Sequence, residues 1–146
     1  MTQRILIMGL PGAGKTTLAV ELRDCLWELK QSVFWFNADT VREAYQDWDF
    51  SLEGRIRQSL RMDELASSVG TDFVICDFVC PLAVMRENFK PDYIVWVDTI
   101  TQGRFEDTNK LFEPPEHFDI RVTEQDSKKW ATIIAAQLVN KTLNDK

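Results

Sequence analysis

With 146 residues, 45% of them hydrophobic and 27% charged, the chain carries enough apolar material for one sizeable core and too little length for two. Those proportions exclude a disordered chain, and no apolar run reaches the length that a membrane span needs. A net charge of −6 disfavours non-specific attraction to a polyanion such as DNA and fits a small anionic ligand better.

Cys25, Cys76 and Cys80 are odd in number, lack metal-ligand spacing and lie in apolar segments, which predicts reduced core thiols in a cytoplasmic protein. The sequence enters Arg4-Ile5-Leu6-Ile7-Met8 almost at once, so no secretory leader is expected.

That aliphatic run predicts a buried strand, and Gly9-Leu10-Pro11-Gly12-Ala13-Gly14-Lys15-Thr16 follows it directly. This is a complete G-x-x-x-x-G-K-[ST] phosphate-binding loop. Its glycines permit the backbone angles that turn several N–H groups toward one anion. Lys15 can then reach β- and γ-phosphate oxygens, the Thr16 hydroxyl can ligate Mg²⁺, and the following helix offers the positive end of its dipole. A merely structural turn has no need of an ammonium group facing its own amides. Gly9, Pro11, Gly12, Ala13, Gly14, Lys15, Thr16 and Thr17 are therefore the expected nucleotide-binding residues, with ATP and Mg²⁺ as the expected cofactors.

Leu18, Leu22, Cys25, Leu26 and Leu29 recur at helical spacing and predict a helix ending near Lys30. Residues 33–37 are β-branched and aromatic and read as a second buried strand. Asp39 stands at its carboxyl end, where open α/β sheets bind ligands, and either Asp39 or Thr40 is expected to cap a short helix to Tyr45. A connector over 46–50 leads to Ser51, the expected cap of a longer helix to about Ser68, with Gly54 as a weak point near its start. Arg55, Gln58 and Met62 share one stripe of that helix, and a solvated face is the plain alternative for Arg55, Arg57 and Arg61.

Residues 73–76 form the third predicted strand, and Asp77 ends it in the manner of a Walker B segment, whose carboxylate sits near Mg²⁺. A helix over 82–88 follows Pro81, and residues 93–97 read as the fourth strand, closed by Asp98 and Thr99. From 101 to 116 the periodicity stops, which predicts a lid, with Arg104 as its charge-stabilising residue. The last strand falls at 119–122 and the last helix at 127–140, with Trp130, Ile133, Ile134 and Leu138 on its buried face. Trp27, Trp35, Trp96 and Trp130 are expected in the core, Trp48 beside a pocket and His117 on the surface. The alternation of strand and helix calls for one α/β domain over 1–146. Its expected form is a three-layer P-loop NTPase sandwich, with a five-stranded parallel sheet, helices on both faces and a short lid.

With these residues in place, the chain from about Arg4 to Thr99 resembles the adenosine 5′-phosphosulfate (adenylylsulfate) kinases. These are cytosolic P-loop enzymes that move the γ-phosphate of ATP onto a ribose 3′-hydroxyl. Gly9 to Thr16 matches their loop, and Asn37-Ala38-Asp39-Thr40-Val41-Arg42 is similar to their Asp-Gly-Asp-x-x-Arg element. Residues 50–58 fall on their Phe-Ser-x-x-Asp-Arg-x-x-Asn stretch, Val79-Cys80-Pro81 on Ile-Ser-Pro, and Val97-Asp98-Thr99 on Val-Asp-Thr. The resemblance implies that Asp39 positions or deprotonates the attacking hydroxyl, that Arg42, Arg55 and Gln58 hold the phosphosulfate and ribose, and that Phe50 stacks on adenine. It also places Val79, Cys80, Lys110 and Phe112 at the substrate, and Lys15, Asp39 and Arg104 in catalysis. Arginine forks suit such tetrahedral oxyanions.

The departures concern the acceptor side. Asn37, Ala38, Gln58 and Cys80 replace the family's Asp, Gly, Asn and Ser, and Asp77 stands where a small residue is usual. The lid is shortened and lacks the Arg-Asp-Pro-Lys-Gly stretch; Lys110 and Phe112 resemble a later Lys-x-Phe, and Arg104 is the nearest substitute for the arginine. The leading expectation is a kinase of adenosine 5′-phosphosulfate, the alternative a kinase of another hydroxyl acceptor such as a nucleoside, a nucleic-acid end or a modified base. A nucleotide-dependent switch or non-catalytic nucleotide-binding protein is a third reading. Asn109-Lys110-Leu111-Phe112 argues against a guanine switch, because it lacks the aspartate of Asn-Lys-x-Asp. The expected partners are a small anionic hydroxyl acceptor and at most a second copy of the chain in a homodimer, with no nucleic acid and no membrane.

Overall fold

The computed structural model describes residues 1–144. In chain order the elements are β1 (Gln3–Met8), α1 (Lys15–Glu28), β2 (Val33–Asn37), α2 (Ala38–Tyr45), α3 (Leu52–Ser67) and β3 (Phe73–Asp77). They continue with α4 (Ala83–Phe89), β4 (Tyr93–Val97), α5 (Glu106–Leu111), β5 (Ile120–Val122) and α6 (Ser127–Asn144). The strands pair in parallel in the order β2-β3-β1-β4-β5. Ile7 lies opposite Asp77 and Asp77 opposite Asn37, so β1, β3 and β2 finish together and deliver their last residues to one edge.

The two-residue period of the strands divides the core. Ile5, Ile7, Ile75 and Val95 face α1 and α6, packing on Leu18, Leu22, Ile134 and Leu138. Leu6, Met8, Val74 and Cys76 face the opposite layer, with Val41, Met62, Met85 and Phe89. A sheet buried on both faces needs continuous apolar strands, and β1, β3 and β4 supply them. The result is the expected three-layer α/β sandwich. No helix among the described residues is long and apolar enough to cross a membrane.

Several local expectations are corrected. Helix α1 stops at Glu28, before Lys30, which adopts a left-handed φ of 65°. Helix α2 is capped by neither Asp39 nor Thr40: Asn37 is the cap, its side chain accepting a bond from the Thr40 N–H. Helix α6 runs past Asn140 to Asn144. Trp27 is 49% exposed instead of buried, because its ring lies outside the apolar stripe of α1 and stacks under the Arg23 guanidinium at 4.6 Å. Cys25 is only half-buried, whereas Cys76 and Cys80 are buried; all three are free thiols.

The lid is not aperiodic. It contains α5, whose acidic first turn, Glu106 and Asp107, suits the positive end of a helix dipole. Thr108 is the buried side chain of that helix and accepts a hydrogen bond from Arg55 at 3.0 Å. The Asn109 carboxamide bonds to both the N–H and the C=O of Gly103, at 2.8 and 2.9 Å, closing residues 103–109 into a ring. A side chain at Gly103 would meet the Pro11 carbonyl at 2.9 Å, so this ring rests on the phosphate loop. Gly54 is likewise no weak point, because a β-carbon there would collide with the Asp49 carbonyl, and its absence lets the 46–50 connector lie directly on α3.

Candidate active site

The phosphate loop joins β1 to α1 at the carboxyl edge of the sheet. A β-carbon at Gly9 would sit 2.5 Å from the Val97 carbonyl oxygen, so the loop passes directly over β4. The Thr99 hydroxyl braces it from outside by donating to the Ala13 carbonyl at 2.6 Å. Lys15, the first residue of α1, turns back across the loop and donates to the Leu10 carbonyl at 3.0 Å. Burial lowers its pKa to about 8, against the opposing attraction of Asp77 and Asp39.

Behind Lys15 stands Asp77, almost completely buried. Its Oδ2 accepts from the Trp35 indole N–H at 2.6 Å and its Oδ1 from the Asn37 carboxamide at 2.9 Å. The same Asn37 nitrogen lies 3.2 Å from the Thr16 hydroxyl oxygen. Burial pushes the Asp77 carboxyl up to about 7, while the Trp35 bond, the Lys15 charge and the Asn37 bond pull the other way. Thr16 and Asp77, the residues expected at a metal, are thus linked through one amide. A hydroxyl and a carboxylate beside a phosphate loop are the oxygen donors that suit Mg²⁺, which takes few protein ligands and keeps water and phosphate for the rest. Among the described residues no cluster of three or more His, Cys, Asp or Glu side chains competes with this pair.

The loop opens into a cavity of about 640 Å³. Of the expected residues, Pro11, Gly12, Gly14, Lys15, Thr16, Thr17, Asp39, Arg42, Phe50, Arg55, Gln58, Asp77, Val79, Cys80 and Arg104 line it. Trp48 lines it too, in agreement with its polar connector. Asp39 is exposed in the first turn of α2, close enough to Lys15 to act on its charge. Arg42 and Arg55 lie 4.4 and 5.5 Å from the Phe50 ring centre. Both guanidinium groups also hold the protein: Arg42 donates to the Asp47 and Asp49 carbonyls, and Arg55 to the Phe50 carbonyl and the Thr108 hydroxyl. Burial lowers the pKa of each. Gln58 is buried with its amide already engaged, donating to the Ala38 carbonyl and accepting from Arg61. Cys80 reaches the cavity with a left-handed φ of 49°, and burial raises its thiol to about 12, too high for a nucleophile.

Lys110 and Phe112 are the residues the structure does not bring in. Lys110 is 76% exposed and pairs with Glu106 one turn away, because α5 points it into solvent. Phe112 packs against the core layer that contains Met85 and Phe89, with Arg86 over its ring at 5.8 Å. Gly9 and Ala13 build the loop without lining this cavity; Ala13 lines a second one of about 220 Å³ on the other side of the loop, with Thr17, Gln125 and Trp130. His117 is exposed, as expected.

Sequence reasoning missed Trp35, Asn37 as cap and bridge, Thr108, and Asp47, whose carboxylate ties down Arg57 and Arg61 and is held well below the usual range by those bonds. Only Trp35 and Asn37 had a signal, since alternation along β2 puts both on the face that Asp77 shares across the register.

This fold and site are those of a P-loop kinase, a phosphotransferase. The chain belongs to the adenylylsulphate kinase family, whose model matches residues 1–101. Among solved structures, the Mycobacterium tuberculosis APS kinase CysC, in complex with AMPPNP and APS, superposes with a TM-score of 0.76 at 18% identity. That match covers 94% of this chain and 97% of the other. A sugar kinase from Janibacter sp. HTCC2649 gives 0.68 at 16% identity over 96% and 95% of the two chains. A gluconokinase from Sinorhizobium meliloti 1021 gives 0.67 at 13% over 99% and 97%. At these identities the superpositions speak for the fold alone. No curated protein matches the chain in sequence.

Proposed function

We propose that the protein transfers the γ-phosphate of ATP to the 3′-hydroxyl of adenosine 5′-phosphosulfate. The observation that carries this reading is the placement of Asp39 in one cavity with Lys15 and the phosphate loop, and with the Arg42, Arg55 and Phe50 cluster. In the reaction a ribose oxygen forms a bond to the γ-phosphorus, the bond to the β,γ-bridging oxygen breaks, ADP leaves, and the hydroxyl proton passes toward Asp39. Lys15 balances charge growing on the β/γ bridge, and Arg104 adds a second cation from the lid. Phe50 offers a face to the acceptor's adenine, and Arg42 and Arg55 offer charge to its phosphosulfate. The smaller cavity across the loop is suited to the base of ATP. Thr16 and Asp77 would hold Mg²⁺, which neutralises phosphate charge when bound. The free cysteines accord with a cytoplasmic setting.

A second reading keeps the kinase and changes the acceptor to a nucleoside, a nucleic-acid end or a modified base. Gln58 favours it, because it stands where the family has Asn and is buried with one N–H committed to the Ala38 carbonyl and its oxygen to Arg61, leaving a single N–H for the ribose or phosphosulfate that the resemblance assigns to it. One assay decides between them: ADP release from MgATP with adenosine 5′-phosphosulfate, and in parallel with a panel of other hydroxyl acceptors. Stimulation by the phosphosulfate alone supports the first reading; stimulation only by another acceptor replaces it with the second. An Asp39→Ala variant that keeps full transfer removes Asp39 from its assigned role.

A further inference from the structure

We infer that Trp35 is a positioning residue for metal binding: its indole N–H, with the Asn37 carboxamide, fixes the Asp77 carboxylate and so sets how strongly the nucleotide site takes up Mg²⁺. The inference rests on the reading that Thr16 and Asp77 hold the metal. Trp35 lies in an apolar strand, 42 residues from Asp77, and has no place in any phosphate-binding motif. Parallel pairing nonetheless puts Trp35 beside Ile75 and Asn37 beside Asp77 on one face, so both side chains converge on the end of β3.

The two oxygens of Asp77 each receive one fixed donor, at 2.6 Å from Trp35 and 2.9 Å from Asn37. Two donors on two oxygens determine the plane of a carboxylate and leave a lone pair on each oxygen for a cation or its water. The indole is flanked by α1, where the Arg23 guanidinium lies 5.6 Å from its ring centre and 4.6 Å from that of Trp27. Asn37 is fixed at its other end, where its oxygen caps α2. Each part that touches Asp77 is thus anchored to a different element, which is how outer groups orient a metal ligand.

A plainer role, in which Trp35 only satisfies a buried carboxylate, predicts changed stability and unchanged metal dependence. Calorimetric titration of ADP with and without Mg²⁺ separates the two. In Trp35→Phe the metal-free ADP affinity is expected within about twofold of wild type, while the tightening produced by Mg²⁺ shrinks by about tenfold. An undiminished Mg²⁺ effect overturns the inference. Should Trp35→Phe fail to fold, Asn37→Ser decides instead, because serine keeps a capping oxygen and loses the amide that reaches Asp77. The same loss in Asn37→Ser supports the inference, and a wild-type Mg²⁺ effect overturns it. Absence of kinase activity toward adenosine 5′-phosphosulfate, with the Mg²⁺ effect and its loss both intact, would count only against the acceptor assignment.

Discussion

The two halves of the cavity are built from different materials. The phosphate half is main chain: a loop pressed between β4 and α1, its shape set by where β1 and β4 run, with Lys15 as the side chain laid across it. The half proposed for the acceptor is side chain, and its cations are already in use as structure, since Arg42 and Arg55 hold the connector and α5 by four hydrogen bonds. A main-chain site tolerates change around it and demands particular residues within it. A side-chain site whose members also hold loops couples recognition to folding, so specificity there changes only together with the packing.

Substitutions should expose that contrast. Lys15→Ala removes a buried charge and its one bond to the Leu10 carbonyl, and should lower turnover by on the order of 10³ with the melting temperature preserved or raised, as steady-state kinetics and calorimetry would measure. An equally large loss of stability would mean that the phosphate half is also structural. Arg55→Ala should raise the acceptor KM by about tenfold to a hundredfold, much more than it weakens ATP binding, and should also loosen α5. Equal losses for both substrates would assign Arg55 to the nucleotide or to the fold alone.

The pH dependence of the free protein gives a smaller effect of defined sign. Asp77, raised to about 7 from the ordinary 3.8, holds its proton more tightly when folded than when unfolded. Its contribution to stability is therefore complete at acid pH, declines as pH rises from about 4 to about 7, and is constant above. Lys15, lowered to about 8 from 10.5, imposes its full penalty below 8 and releases it as pH rises toward 10.5. Denaturant melts across pH 4–7 should show wild type losing on the order of 3 kcal/mol relative to Asp77→Asn, which lacks this titration. Parallel curves would remove the buried carboxyl from this account. At the smallest end, Lys110→Ala should change stability by less than about 0.5 kcal/mol and leave the acceptor KM unchanged, because its pair with Glu106 is solvent-exposed. A raised KM would show that Lys110 does reach the acceptor.

The same division explains what was legible in the sequence. The phosphate half announces itself because the motif is a statement about backbone: Gly9, Lys15 and Thr16 can be read without knowing what surrounds them. The strands were equally plain, since a sheet covered on both faces requires unbroken apolar runs. Asp77 could be read as a strand-end carboxylate, yet its donors could not, because Trp35 in an aromatic strand looks like core until pairing sets it beside Ile75. The double duty of Arg42 and Arg55 was hidden for the same reason, as their partners are carbonyl oxygens, which have no sequence. Helix α5 was missed because six residues are too few for a periodic stripe, and one buried threonine is all that it turns inward. Lys110 and Phe112 matched a family pattern in spacing and fell outside the cavity once that helix fixed their directions.

The ring that Asn109 closes with Gly103 gives the flap over the cavity a mechanical character. Two hydrogen bonds between Gly103 and Asn109 make residues 103–109 one closed unit, which the Thr108 hydroxyl ties to Arg55 and the Glu113 N–H ties to the Pro81 carbonyl. Because that unit also lies against the Pro11 carbonyl, with no room for a β-carbon at Gly103, flap and phosphate loop share one contact surface and neither can be reshaped without the other.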